Sequence, residues 1–288
     1  MMPSRFELPS GQNCENLAPP AVAATPGLDW PDFLRFVRWL QASLEDAPAP
    51  LALKLLRSLQ WLESVERGYL DQIAGDTADE VLEALVRRSK EKVPGLPAPV
   101  EAPSRFGRLF LRMLVLEHAR RTAVAERDSR SSPRWKLLAA SLRFMFASSR
   151  TPALRAELKR VPIAEIELSF GPLPPAAEEG LDRYFRAKVQ SLQFCGKGFH
   201  DCSLIEGFRN LALMYPILVW LARWLALSDG RPAVSASDVQ QAISIADYQY
   251  SFAPYLPWRT RLLQQRNDVV RLCAWYAADR PPAPGSIH

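Results

Sequence analysis

An unbroken run of about a dozen apolar residues, 211–222, constrains this chain more than any other stretch of it. Arg223 interrupts the run well short of the roughly 20 apolar residues needed to cross a bilayer, so no membrane span is expected and the segment is expected to be a buried core helix. The other helical patterns each carry a single apolar stripe and must pack on one another or on the rest of the chain. Phe33, Phe36, Val37 and Leu40 recur at helical spacing behind Asp29, which can cap a helix opening Trp30-Pro31-Asp32. Leu51, Leu55, Leu56, Leu59, Leu62 and Val65 make a second stripe running to about residue 70. Further helices are expected over 76–91, 104–127, 133–148, 176–192, 203–227, 237–250 and 259–278, with Ser235 and Ser237 ahead of Asp238 as a clear capping signal.

Prolines punctuate this series. Pro48 and Pro50 separate the first two helices, 93–103 is a Pro/Gly-rich stretch, and 151–175 reads as a connector in which 163–170 is the one run that could be extended. The expected fold is therefore all-α, an irregular multi-helix bundle of about eight to nine helices with Pro-rich connections. Its expected organisation is a flexible arm over 1–27, an N-terminal helical subdomain over 28–93, a main helical domain over 104–278 and a flexible tail over 279–288. No repeat of fixed period is present, which argues against a regular solenoid.

A chain of 288 residues with 48% hydrophobic and 23% charged residues can bury one large or two modest cores, and disorder across most of it is not expected. Four cysteines, Cys14, Cys195, Cys202 and Cys273, are too few and too scattered for a disulfide scaffold, so a reducing cytoplasm is the expected compartment. Residues 1–20 contain no apolar core of the length a secretory signal requires. The net charge of +5 is arginine-dominated but spread along nearly every helix with acidic residues between, which reads as solvated helix faces rather than a nucleic-acid stripe. Nucleic acid is accordingly not the expected partner.

The densest candidate for chemistry is Phe194-Cys195-Gly196-Lys197-Gly198-Phe199-His200-Asp201-Cys202. Cys195, His200 and Cys202 are the candidate metal ligands, with Asp201 or the distant Cys14 and Cys273 as a fourth. Their Cys-x4-His-x-Cys spacing is not one of the common zinc patterns, so the preferred reading is a capping loop holding small buried cysteines, and no metal is expected. Gly196-Lys197-Gly198 lacks the preceding strand and the Lys-Ser/Thr pair of a phosphate loop. Pairs such as Cys195 or Cys202 with His200, and His118 with Glu117, are too easily formed by chance to assign a nucleophile, and with three histidines in all no catalytic residue is assigned. Tyr215, Trp220, Trp224, Tyr248, Tyr250, Phe252, Tyr255 and Trp258, mixed with Arg209, Arg223, Arg259 and Arg261, could stack bases, but most sit at core-like spacing.

Six segments carry a family resemblance: Leu181-Asp-Arg-Tyr-Phe-Arg-Ala-Lys-Val-Gln-Ser-Leu-Gln-Phe, Gly196-Lys-Gly-Phe, Leu204-Ile-Glu-Gly-Phe-Arg-Asn-Leu-Ala-Leu-Met-Tyr, the Ser237-Asp-Val-Gln-Gln-Ala-Ile helix, the early Leu28-Asp-Trp-Pro-Asp-Phe-Leu-Arg-Phe-Val-Arg, and Pro50-Leu-Ala-Leu-Lys-Leu-Leu. Together, over residues 27–256, the chain resembles the helical part that follows the cysteine cluster in YkgJ-type proteins, a group that includes the flagellin lysine-N-methylases. The resemblance implies an iron- or zinc-chelating cluster ahead of the helices and methyl transfer from S-adenosylmethionine to a protein lysine. This sequence departs from the pattern, because Cys14 alone precedes the helices and one thiolate cannot build a four-ligand site. Either the cluster has been lost or it lies upstream of Met1, and iron–sulfur, zinc or S-adenosylmethionine is expected only if a cluster is supplied from elsewhere. The resulting expectation is a helical binding or protein-interaction domain whose grooves hold a protein segment. A truncated methylase-like enzyme and a weak nucleic-acid binder are the alternatives.

Overall fold

The computed structural model of the chain describes residues 18–23, 28–45, 49–67, 78–96, 100–119, 150–167, 170–252 and 268–278. Among these residues the fold is all helical: nine α-helices, one short 3-10 turn and no strand. The centre is α7 (Leu204–Ser228), the helix that contains the apolar run, with 22 of its 25 residues buried. Although long and apolar enough to cross a membrane by composition, it has 94% of its most apolar window buried inside the fold. Against it pack α2 (Leu51–Glu66), α4 (Arg105–Ala119), the short α5 (Ile163–Glu167), α8 (Ala236–Phe252) and α9 (Asp268–Ala277). Helices α1 (Trp30–Glu45), α3 (Ala78–Lys92) and α6 (Pro175–Gln190) complete the bundle by packing on α2 and α8.

The helices begin where local or borrowed caps satisfy their free amides. Asp29 Oδ1 accepts from the Asp32 amide at 2.9 Å and starts α1. In α8, Ser235 Oγ accepts from the Asp238 amide at 3.3 Å while the Asp238 carboxylate accepts from the Ser235 amide at 2.7 Å, a reciprocal capping box. Pro50 has no side chain with which to cap α2, and Glu178 of α6 does so instead, accepting from the Leu51 amide at 2.8 Å. One turn on, Asp182 pairs with Lys54 at 2.8 Å, so two carboxylates on one face of α6 fix the first turn of α2. Buried Asp268 closes the start of α4, accepting from Ser104 Oγ at 2.9 Å, and Ser104 Oγ in turn accepts from the Gly107 amide at 2.9 Å.

Pro216 lies inside α7 and has no amide to give to the carbonyl of Ala212 one turn earlier. The Cys273 thiol of α9 donates to that carbonyl at 3.4 Å, so the acceptor orphaned by the proline is satisfied by a neighbouring helix.

Two sequence expectations change. The run at 163–170 is not extended over 163–167, which form α5 with Ile163 and Ile166 buried one turn apart, and among the described residues an isolated bridge between Arg150 and Pro162 precedes it. The arm assigned to 1–27 is not loose over 18–23, where Val22 and Ala23 are buried and the carbonyls of Ala21 and Val22 accept from the first two amides of α7, Leu204 and Ile205, at 2.8 and 3.1 Å. One continuous core includes Leu62 and Leu85 on one side of the 93–103 stretch and Leu114 and Leu218 on the other. The helix expected over 133–148, Cys14 and the tail at 279–288 lie outside the described residues.

Candidate functional site

Between α6 and α7 the chain makes a tight loop that holds the candidate ligands Cys195, His200 and Cys202. Leu192, Gly196, His200 and Asp201 all have positive φ, and the three without glycine's freedom each carry about 1–2 kcal/mol of backbone cost. The loop is closed by its own backbone: the Gly196 amide donates to Cys202 O at 2.8 Å, and the amides of Phe199 and Asp201 both donate to Gly196 O at 2.9 Å. A Cβ on Gly196 would stand 2.7 Å from Pro20 Cγ, so glycine is required by the segment packed over it as well as by φ.

This geometry separates the candidate ligands. Cys195 and Cys202 are buried, whereas His200 and Asp201 are exposed, and the His200 ring lies edge-on to Phe199 at 5.3 Å. No group of three or more His, Cys, Asp or Glu side chains among the described residues is placed to hold a metal ion. Burial, reinforced by nearby Cys202, pushes the Cys195 thiol up to about 12, and burial does the same to Cys273. Such thiols stay protonated at neutral pH and are poor nucleophiles. The Asn210 amide nitrogen lies against Cys202 Sγ at 4.0 Å and is itself buried.

The other candidates are core residues too. His118 is buried at the contact of α4 with α8, its Nδ1 3.1 Å from Ala246 O, and burial lowers it to about 4, so it is neutral at pH 7. Tyr215, Trp220 and Trp224 are buried, the two tryptophan rings meeting edge to face at 5.5 Å, and so offer no surface for a base. Arg223 is buried with its guanidinium 5.4 Å from the Phe170 ring and 5.1 Å from the Tyr276 ring. Tyr255, Trp258, Arg259 and Arg261 lie outside the described residues, as do the side chains of Tyr248, Tyr250 and Phe252.

An open concavity lies elsewhere. A groove of about 550 Å³ runs between α2, the connection that follows α3, and α9. Its floor is apolar, formed by Leu56 and Leu59 of α2 and Val269 and Val270 of α9. One wall is Val93, Pro94, Gly95 and Leu96, and it is held by Arg57, which donates to Val93 O at 3.0 Å and to Pro94 O at 3.1 Å. Gln60, Glu63, Lys92 and Arg209 form a polar rim. Arg209 of α7 is oriented by a two-pronged pair with Glu66, at 2.5 and 3.2 Å, and Glu63 pairs with Arg67 and lies 3.4 Å from Gln60. The volume falls in the range of ligand-binding clefts, and an apolar floor with a few oriented polar groups is the usual chemistry of one.

Sequence reasoning missed this groove because no local pattern encodes it. Its residues come from four segments, and each of them reads by itself as an ordinary helix face or turn.

No protein-family model, curated protein or solved structure matches the chain.

Proposed function

We propose that this chain is a helical binding module that holds a segment of a protein partner in the groove between α2, the 93–96 wall and α9. The observation that supports this reading is the groove itself, apolar below, polar around the edge, and braced by Arg57 and by the Arg209–Glu66 pair. Its helices would correspond to the part of a YkgJ-type protein that follows the cysteine cluster, serving here to grip a partner rather than to carry out methyl transfer.

Panning a library of random twelve-residue displayed peptides on the immobilised protein tests the reading. Recovered peptides should be rich in apolar residues. They should lose binding to Val270→Arg, a substitution at a half-buried floor position, while circular dichroism shows the helices intact. Recovery of no specific peptide, or of peptides indifferent to Val270→Arg, would defeat the proposal.

A further inference from the structure

The charges around the groove are unequal, and their imbalance specifies the chemistry of what it holds. Of the rim residues, Glu63 is answered by Arg67, and Arg209 by Glu66. Lys92, the last residue of α3, is exposed and has no carboxylate partner among the described residues. The apolar floor beside it therefore sits next to one positive charge that no carboxylate among the described residues answers, at the edge where the wall of 93–96 begins.

Building on the binding reading above, we infer that the groove takes a short apolar segment bearing a carboxylate, with the apolar side chains on Leu59 and Val270 and the carboxylate beside Lys92. A basic segment would place like charge against Lys92. A wholly apolar one would leave the ammonium group without a counter-charge while desolvating part of its surroundings. An exposed ion pair of this kind contributes modestly to affinity and more to selection and to the rate of encounter, so the effect belongs in specificity and salt dependence.

The test uses the full chain and synthetic copies of peptides recovered by panning, followed by fluorescence anisotropy. Recovered peptides should carry Asp or Glu at one recurrent position. Replacing that residue by its amide should weaken binding roughly two- to fivefold and flatten the dependence on salt. Lys92→Gln should weaken the acidic peptide by the same factor and leave the amide peptide unchanged, and panning on Lys92→Glu should recover basic residues at that position instead. Peptides that need Val270 but show no acidic preference and no response at Lys92 would overturn this inference while leaving the binding reading intact. Failure to recover any groove-dependent peptide would overturn both. Concentration-dependent self-association in sedimentation velocity that disappears in Val270→Arg would make a second copy of the chain the occupant and likewise overturn the inference.

Discussion

The Cys195–Cys202 loop and the groove beside α2 treat their functional groups in opposite ways. In the loop, both thiols are buried, the backbone amides close on loop carbonyls, and the strap of 18–23 covers Gly196. Water and reagents have little access to the two thiols, although His200 and Asp201 beside them are exposed. In the groove, leucine and valine line a recess of about 550 Å³, and charged side chains stand around it instead of across it. The contrast teaches that the density of reactive residue types along a chain is a poor guide to where chemistry is available. Burial turns two cysteines into packing groups, whereas ordinary leucines and valines line an open recess once separate helices leave a space between them.

The largest effect should come from opening the sealed side. At Gly207 an added Cβ would lie 1.8 Å from Phe194 O, so Gly207→Ala has to displace the loop or α7. The expected loss is about 3 kcal/mol in urea unfolding, with faster alkylation of Cys195 and Cys202 read by mass spectrometry. Unchanged stability and unchanged alkylation would show that the loop is not sealed.

Acid should weaken the fold by a different route, at the contact of α4 with α8. His118 titrates near 4 in the fold, below the value of about 6.5 expected in the unfolded chain. Above pH 6.5 both states are neutral at this position and its contribution is constant. As pH falls from 6.5 to 4 the unfolded state takes up the proton first, so stability should decline across that window by on the order of 2–3 kcal/mol and level off below it. His118→Leu should remove this component from the pH dependence measured by chemical denaturation.

A smaller loss, about 1 kcal/mol, is expected for Cys273→Ala, which leaves the Ala212 carbonyl without its donor. Cys273→Ser should recover part of it. Stability equal to wild type in the alanine variant would mean that the contact contributes nothing. On the groove side, Lys92→Gln should change the unfolding midpoint least of all, within about 0.5 kcal/mol as for other surface substitutions. A large loss there would mean that the rim supports the fold and is not reserved for a partner.

What could be read in the sequence was what is encoded locally. Asp29 before Trp30-Pro31 and Ser235 three residues before Asp238 are caps that act within one turn, and both stand in the structure. The apolar stretch at 211–222 announced the central helix because a segment polar on no face has to be covered. The short run after Pro162 was ambiguous, since a few apolar residues suit a strand or a single helical turn equally well, and packing of Ile163 and Ile166 decided for the helix. Interactions between distant residues were not legible. The cap of α2 comes from Glu178, 127 positions away, and the donor for Ala212 comes from Cys273, 61 positions away. The groove is of this second kind, as each of its walls is specified by a different stretch of chain.

The carbonyls of Ala21 and Val22 complete the first turn of α7, although they belong to the opposite end of the chain. During synthesis, residues 18–23 leave the ribosome long before Leu204 and Ile205 exist. At translation rates of about 5–20 residues per second, Val22 and Ala23 spend on the order of ten seconds or more without the surface that buries them. Closure of so long a loop is among the slower steps open to a helical chain. The most apolar helix of the protein therefore receives its final cap late, and a nascent chain stalled before Leu204 would hold its amino-terminal strap unoccupied and available to whatever attends it.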